Sequence, residues 1–181
     1  MFENKKLQGF QKNSALLEKT SAQTQQFYYQ FIKDNQDVEP KPNVLTHLKS
    51  FLGAFKYAKH WENSVEKYCM FIGCGRTGHS LIGSLIDAHP DMVMSDELDY
   101  LRFIQRGYSK NQIYYLIVKQ AQKQAKKQRE VGDYYYAVSH QWQGKFRKIK
   151  VIGDKAAAPT TATLQANPHL LDDLYEKFDK L

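Results

Sequence analysis

The sequence predicts an α/β fold built on a parallel sheet flanked by helices, and three stretches carry that prediction. Residues 68–72, Tyr-Cys-Met-Phe-Ile, form a short apolar run ended by glycine, the pattern of a buried parallel strand. A glycine-rich turn follows, Gly73-Cys74-Gly75-Arg76-Thr77-Gly78, and a helical pattern opens at about Ser80. Pro90 ends that helix and Met92-Val93-Met94 reads as a second strand. Together they make a strand–helix–strand unit with a right-handed crossover.

The remaining elements follow in chain order. Residues 1–60 are polar, with Leu16, Leu17, Phe27, Phe31 and Ile32 at helical spacing, and Glu39-Pro40-Lys41-Pro42 interrupts them. Leu45, Leu48, Phe51, Leu52 and Phe55 then mark one side of a helix, expected to cover the core. This divides the chain into a helical N-terminal extension, 1–60, and a main domain, 61–181. The helix from Ser80 is expected to bury Leu81, Ile82, Leu85 and Ile86. Further helices are expected over 98–107 and 111–130, and a third strand over 148–152. Residues 134–140 fit a strand or the end of a helical region. Helices close the chain over 160–166 and 168–178, the second opened by Asn167-Pro168.

Composition narrows the class. The chain has 181 residues, enough for one core and too few for two. Hydrophobic residues at 42% and charged residues at 25% are ordinary globular values, not those of a disordered chain. Cys69 and Cys74 are too few for a disulfide framework. They lack Cys-x-x-Cys spacing and the histidines are scattered, so no metal is expected. The start, Met-Phe-Glu-Asn-Lys-Lys-Leu-Gln, has no apolar run, which predicts no secretory signal, no membrane anchor and a cytoplasmic location. A net charge of +7 favours anionic ligands without choosing among them.

The glycine-rich turn carries the chemistry. Strand, turn and helix aim backbone N–H groups and a helix N-terminus at one spot, which suits phosphate. The spacing Gly73-x-x-x-x-Gly78-x-Ser80 is that of a nucleoside-triphosphate loop, but His79 stands where the lysine belongs. The charge inside the turn comes from Arg76, whose guanidinium suits bidentate phosphate or sulfate contacts. Gly73, Gly75 and Gly78 let the backbone turn and approach an anion. Thr77 and Ser80 either donate hydroxyl hydrogen bonds to the anion or cap the helix. His79 either donates to the anion or is simply exposed.

Past the second strand lies Ser95-Asp96-Glu97-Leu98-Asp99, on the side of an open α/β sheet where ligands bind. Glu97 is the candidate general base there, with Asp96 and Asp99 as competitors. The same run also reads as an acidic helix start. Lys155, after the third strand, either contacts the leaving phosphate or an acidic acceptor, or is a solvated loop lysine. Cys74 is assigned no role. Lys119, Lys123, Lys126, Lys127 and Arg129 read as a solvated helix face. Tyr134, Tyr135, Tyr136 and Trp142 read as packing residues, since no nucleic-acid-binding motif accompanies them.

Residues 69–101 resemble the 5′-phosphosulfate-binding segment of sulfotransferases that use PAPS (3′-phosphoadenosine 5′-phosphosulfate). The nearest branch is that of tyrosylprotein sulfotransferases and their bacterial relatives. The likeness rests on Gly73, Arg76, Thr77, Gly78, Ser80 and Leu81, with Asp87-Ala88-His89-Pro90 at the helix end. Gly75 and His79 depart from the family's usual proline and threonine. The resemblance implies a P-loop-like fold and transfer of the sulfuryl group of PAPS to an acceptor hydroxyl, leaving PAP and needing no metal. It also implies a loop over 73–81 that holds the phosphosulfate, with Arg76 stabilising the leaving phosphate and Glu97 as base. The family's second motif, an arginine and serine for the 3′-phosphate, has no counterpart after Arg147. That implies the N-terminal portion of such an enzyme, C-terminally incomplete. The resemblance implies a hydroxyl-bearing acceptor and leaves open whether it is a carbohydrate, tyrosine or small molecule. No nucleic-acid or membrane partner is expected, and the oligomeric state is not legible. The alternatives are an ATP-dependent kinase with a degenerate loop and a non-catalytic nucleotide-binding remnant.

Overall fold

The structure, a computed structural model, describes residues 40–178. The expected helical positions Leu16, Leu17, Phe27, Phe31 and Ile32 lie outside the described residues. The described elements run α1 (Val44–Ser64), β1 (Lys67–Met70), α2 (His79–Asp87), β2 (Met92–Asp96), α3 (Leu101–Ile104), α4 (Lys110–Lys126), β3 (Glu130–Val131), β4 (Tyr134–Tyr135), β5 (Val151–Lys155), α5 (Ala157–Ala166) and α6 (Leu170–Lys177).

The fold is α/β. A three-stranded parallel sheet has the order β1-β5-β2, so β5 fills the gap between the two strands joined by α2. All three strands therefore end at one edge, at Met70, Lys155 and Asp96. The centre of the sheet is tight. A Cβ at Gly153 would lie 2.2 Å from the Cys69 carbonyl oxygen, so β5 can pass β1 only with glycine there. β3 and β4 form a separate two-stranded hairpin, which accounts for the start of the ambiguous 134–140 stretch.

β5 lies three residues later than the expected 148–152 strand. Asp154 and Lys155 look like the end of an apolar run in the sequence. In the fold they are buried polar residues with partners, and the ladder continues through them. The expected 98–107 helix is only the four-residue α3, because residues 97–99 are tied into a turn. α4 stops at Lys126 rather than 130, where Gln128 and Arg129 adopt left-handed backbone conformations.

Two apolar faces point the opposite way from the sequence expectation. On α2 the buried residues are Gly83, Ser84 and Asp87, while Leu81, Ile82 and Leu85 are about half exposed and Ile86 is half-buried. Small residues allow the helix to sit close on the sheet. A Cβ at Gly83 would already meet the Lys155 side chain at 3.3 Å. On α1 the buried residues are Ser50, Ala54, Trp61 and Ser64, and the Leu45, Leu48, Phe51, Leu52 and Phe55 side is exposed. The same cause operates there: a Cβ at Gly53 would collide with the Tyr115 ring of α4 at 2.2 Å. Gln112, part of the α4 capping box, donates to Ser50 Oγ and the His47 carbonyl, each at 3.1 Å, and pins the two helices together. α1 runs unbroken through residue 60 and enters the core at Trp61, which meets Tyr114 edge-on. Tyr68, Tyr100 and Phe178 continue the aromatic core beneath β1.

Candidate anion site at the carboxyl edge of the sheet

The glycine-rich turn leaves β1 and enters α2 through Gly78, whose φ of 84° is readily reached only by glycine. Gly78 is the N-cap residue, and no side chain caps this helix. The expectation that Thr77 or Ser80 caps α2 is therefore corrected. A Cβ added at Gly75 or Gly78 would meet nothing within 4 Å, so the turn's backbone is open to close approach. The start of the turn is anchored: Gly73 N–H donates to Thr161 Oγ1 of α5 at 2.8 Å.

Inside the turn, the Thr77 hydroxyl lies 3.2 Å from the Cys74 carbonyl oxygen and 2.7 Å from His79 Nε2. His79 also meets Phe71 edge-on. The two side chains support each other across the turn. Arg76, with φ of 66°, is exposed at its tip, and Cys74 is exposed beside it. Leu81 is exposed on the first turn of α2.

Lys155 is the centre of the site. Its stem is clamped under Gly83, and its Nζ lies 3.1 Å from Ser80 Oγ, 3.1 Å from Glu97 Oε1 and in contact with Asp96 Oδ1. The Lys155 and Asp96 side chains are each 5% exposed, whereas Glu97 is 63% exposed. Burial pulls the Lys155 ammonium down. The Asp96 and Glu97 carboxylates more than offset it and hold the group above the ordinary lysine range, so it stays charged. The expectation of a solvated loop lysine is excluded by this burial.

The acidic turn is built from below. Gln124 of α4 accepts from Asp96 N–H at 2.8 Å and donates to the Asp96 carbonyl, fixing the end of β2. Glu97 N–H donates to the Lys155 carbonyl at 2.8 Å. Asp154, fully buried, accepts from Ser95 Oγ at 2.6 Å, Leu98 N–H at 3.1 Å and Asp99 N–H at 2.9 Å. These bonds hold Glu97 and Asp99 at φ of 54°, a conformation that costs a non-glycine residue on the order of 1 kcal/mol or more. Burial pushes the Asp154 carboxyl up to about 7, against the pull of its donors and with help from the Asp99 and Asp96 charges. The Asp99 carboxyl is likewise pushed up by burial.

The three acidic candidates thus separate. Asp96 is buried against Lys155, Asp99 is turned into the protein, and Glu97 alone reaches solvent beside the cation. Ser80, Lys155, Asp96 and Glu97 come together; Arg76, Thr77 and His79 line the turn without touching that cluster through any hydrogen bond described. Sequence reasoning missed Asp154, Thr161 and Gln124. The signal for Asp154 was an acidic residue where a central strand ends. The other two sit on helix faces that carry no distinguishing pattern.

Arg129 also departs from expectation. It leaves the expected solvated face and is 2% exposed, paired with Asp87 at 2.8 Å. Among the described residues, no group of three His, Cys, Asp or Glu side chains could hold a metal ion, and no helix is long and apolar enough to cross a membrane. Comparison with protein-family models, curated proteins and solved structures gives no match.

Proposed function

We propose that this chain binds the phosphosulfate end of PAPS at the P-loop-like β1–α2 turn and supports sulfuryl transfer to an acceptor hydroxyl. The observation that carries the reading is the position of Lys155 Nζ, 3.1 Å from both Ser80 Oγ and Glu97 Oε1. A buried cation, a first-turn hydroxyl and a solvent-facing carboxylate meet where the strands end. The uncapped N-terminus of α2 and the open backbone at Gly75 and Gly78 fit an approaching oxyanion.

When bound, PAPS supplies the sulfuryl group. The chain's residues hold it and move a proton. The α2 N-terminus, Ser80 and Lys155 bind the phosphosulfate oxygens, and Arg76 reaches them from the exposed tip of the turn. Lys155 and Arg76 stabilise the charge that builds on the leaving phosphate. Glu97 accepts the proton of the acceptor hydroxyl as its oxygen bonds to sulfur, while the sulfur–oxygen bond to phosphate breaks with its electron pair on PAP.

One observation favours a second reading, ATP-dependent phosphoryl transfer. Lys155 places a cation at the helix start even though position 79 is histidine, so the turn is not short of charge for a triphosphate. The site's carboxylates are already engaged with Lys155, which leaves less for Mg²⁺, and the sulfuryl reading stands ahead. A thermal-shift measurement with PAP against ATP plus Mg²⁺ separates them, because a ligand that binds only the folded state raises Tm. Stabilisation by PAP without metal supports the proposal. Stabilisation by ATP with Mg²⁺ alone replaces it with the kinase reading, and no stabilisation by either means an incomplete or inactive site.

A further inference from the structure

We propose that Glu97 has a second role beyond proton transfer: it is the counter-ion that occupies Lys155 until an oxyanion ligand displaces it. This rests on the reading of the β1–α2 turn as an oxyanion site. Lys155 faces two carboxylates of opposite character. Asp96 is buried with it, gripped through its peptide by Gln124, and cannot leave without exposing or stranding a charge. Glu97 is 63% exposed and meets the same ammonium at 3.1 Å. The cluster of one ammonium and two carboxylates has a net charge of −1, which repels the dianionic group the turn is built to receive. Only Glu97 can move to relieve this, because its side chain ends in solvent.

The backbone is arranged so that the exchange stays local. Glu97 N–H is bonded to the Lys155 carbonyl, and the Asp154 carboxylate clamps Leu98 and Asp99. The Glu97 peptide stays fixed while its side chain rotates away. An oxyanion then takes the vacated place at Lys155 Nζ beside Ser80 Oγ. Two consequences follow from one motion. Donor binding frees the carboxylate that accepts the acceptor's proton, and before donor binding that carboxylate is tied up. The geometry therefore sets an order, donor first and acceptor second.

The test is a calorimetric titration of the full chain with pyrophosphate and, separately, with PAP, on the parent protein, Glu97→Gln and Lys155→Met. Glu97→Ala provides a second variant that removes the carboxylate without an amide in its place. Exchange requires both Glu97 variants to bind pyrophosphate about tenfold more tightly than the parent, since a competing charge a few ångströms away has gone. It also requires Lys155→Met to lose binding. Equal or weaker pyrophosphate binding by the Glu97 variants overturns the exchange, and so does no pyrophosphate binding by any form. The two claims fail separately: tighter pyrophosphate binding with no response to PAP keeps the exchange and removes PAPS as donor. PAP binding unaffected by Glu97→Gln keeps the donor and removes the exchange.

Discussion

Two cation–carboxylate clusters flank β2, and they are built to opposite specifications. Beside its middle residue, Met94, Asp87 and Arg129 form a sealed pair with side chains 0% and 1% exposed. Asp87 also accepts from Met94 N–H at 2.9 Å and Gly144 N–H at 3.0 Å, while Arg129 donates to the Met94 carbonyl at 3.2 Å. Every Asp87 oxygen has a donor, and the pair ties α2, β2 and the 129–144 segment together. At its carboxyl end, Lys155 and Asp96 are buried as well, but the third member, Glu97, opens to solvent. The first arrangement is closed to solvent, with no side open to a ligand. The second keeps one exchangeable carboxylate at the edge where the strands end. Burial of charge is common to both; what distinguishes a candidate site is an unfilled side.

The comparison breaks most sharply at Arg129. Arg129→Met leaves Asp87 buried without its cation, and the expected cost is about 3–5 kcal/mol of unfolding free energy, read from urea denaturation. A loss under about 1 kcal/mol would mean that the sealed pair is not structural.

Lys155→Met is the counterpart at the open cluster. Here the expected loss is mainly of function: pyrophosphate affinity falls about a hundredfold, as expected when a charge-assisted contact is removed from an anion site. Stability falls less than in Arg129→Met, because the Lys155 cluster opens to solvent through Glu97 whereas the Asp87–Arg129 pair is sealed on every side. Both losses being equal in the two variants would erase the distinction.

A smaller effect concerns Asp154, which holds the turn that presents Glu97. Its folded-state carboxyl is raised to about 7 from the ordinary 3.8. A group raised in this way binds more protons in the folded state than in the unfolded one. Its contribution to stability is therefore full below about pH 4 and is lost as pH rises to about 7. Asp154→Asn removes that dependence. The stability of the parent relative to Asp154→Asn is expected to decline from pH 4 to pH 7 in parallel denaturation series. A flat difference would contradict a carboxyl whose burial outweighs its three hydrogen-bond donors.

How much of this was legible in the sequence follows from the same contrast. The strand, turn and helix of 68–87 and the parallel sheet could be read because apolar runs and glycine punctuation are local signals. The candidate base could be placed, since position relative to a strand end is also local. The orientation of α1 and α2 could not be read, because apolar spacing identifies a helix side but not which side meets the core. Gly53 and Gly83 decided it through close approach to Tyr115 and Lys155, contacts between residues distant in the chain. Arg129 was hidden for the same reason: a helix that ends four residues early turns it inward. Lys155 could be named, but its burial and its two carboxylates arise only when β5 enters between β1 and β2.

The smallest expected effect checks that lesson. Leu85→Ser changes a residue 53% exposed on the outer face of α2. It should alter stability by less than about 0.5 kcal/mol, whereas a core leucine at that position would cost several times more.

The central claim is that the β1–α2 turn, with Arg76 and Lys155, holds the phosphosulfate end of PAPS. The direct measurement is calorimetric titration of PAP into the parent protein, Arg76→Ala and Lys155→Met in the absence of divalent metal. The account predicts binding by the parent, weaker by about tenfold or more in each variant for the loss of one charge-assisted contact. No binding of PAP by the parent, or binding left unchanged by both substitutions, would contradict it.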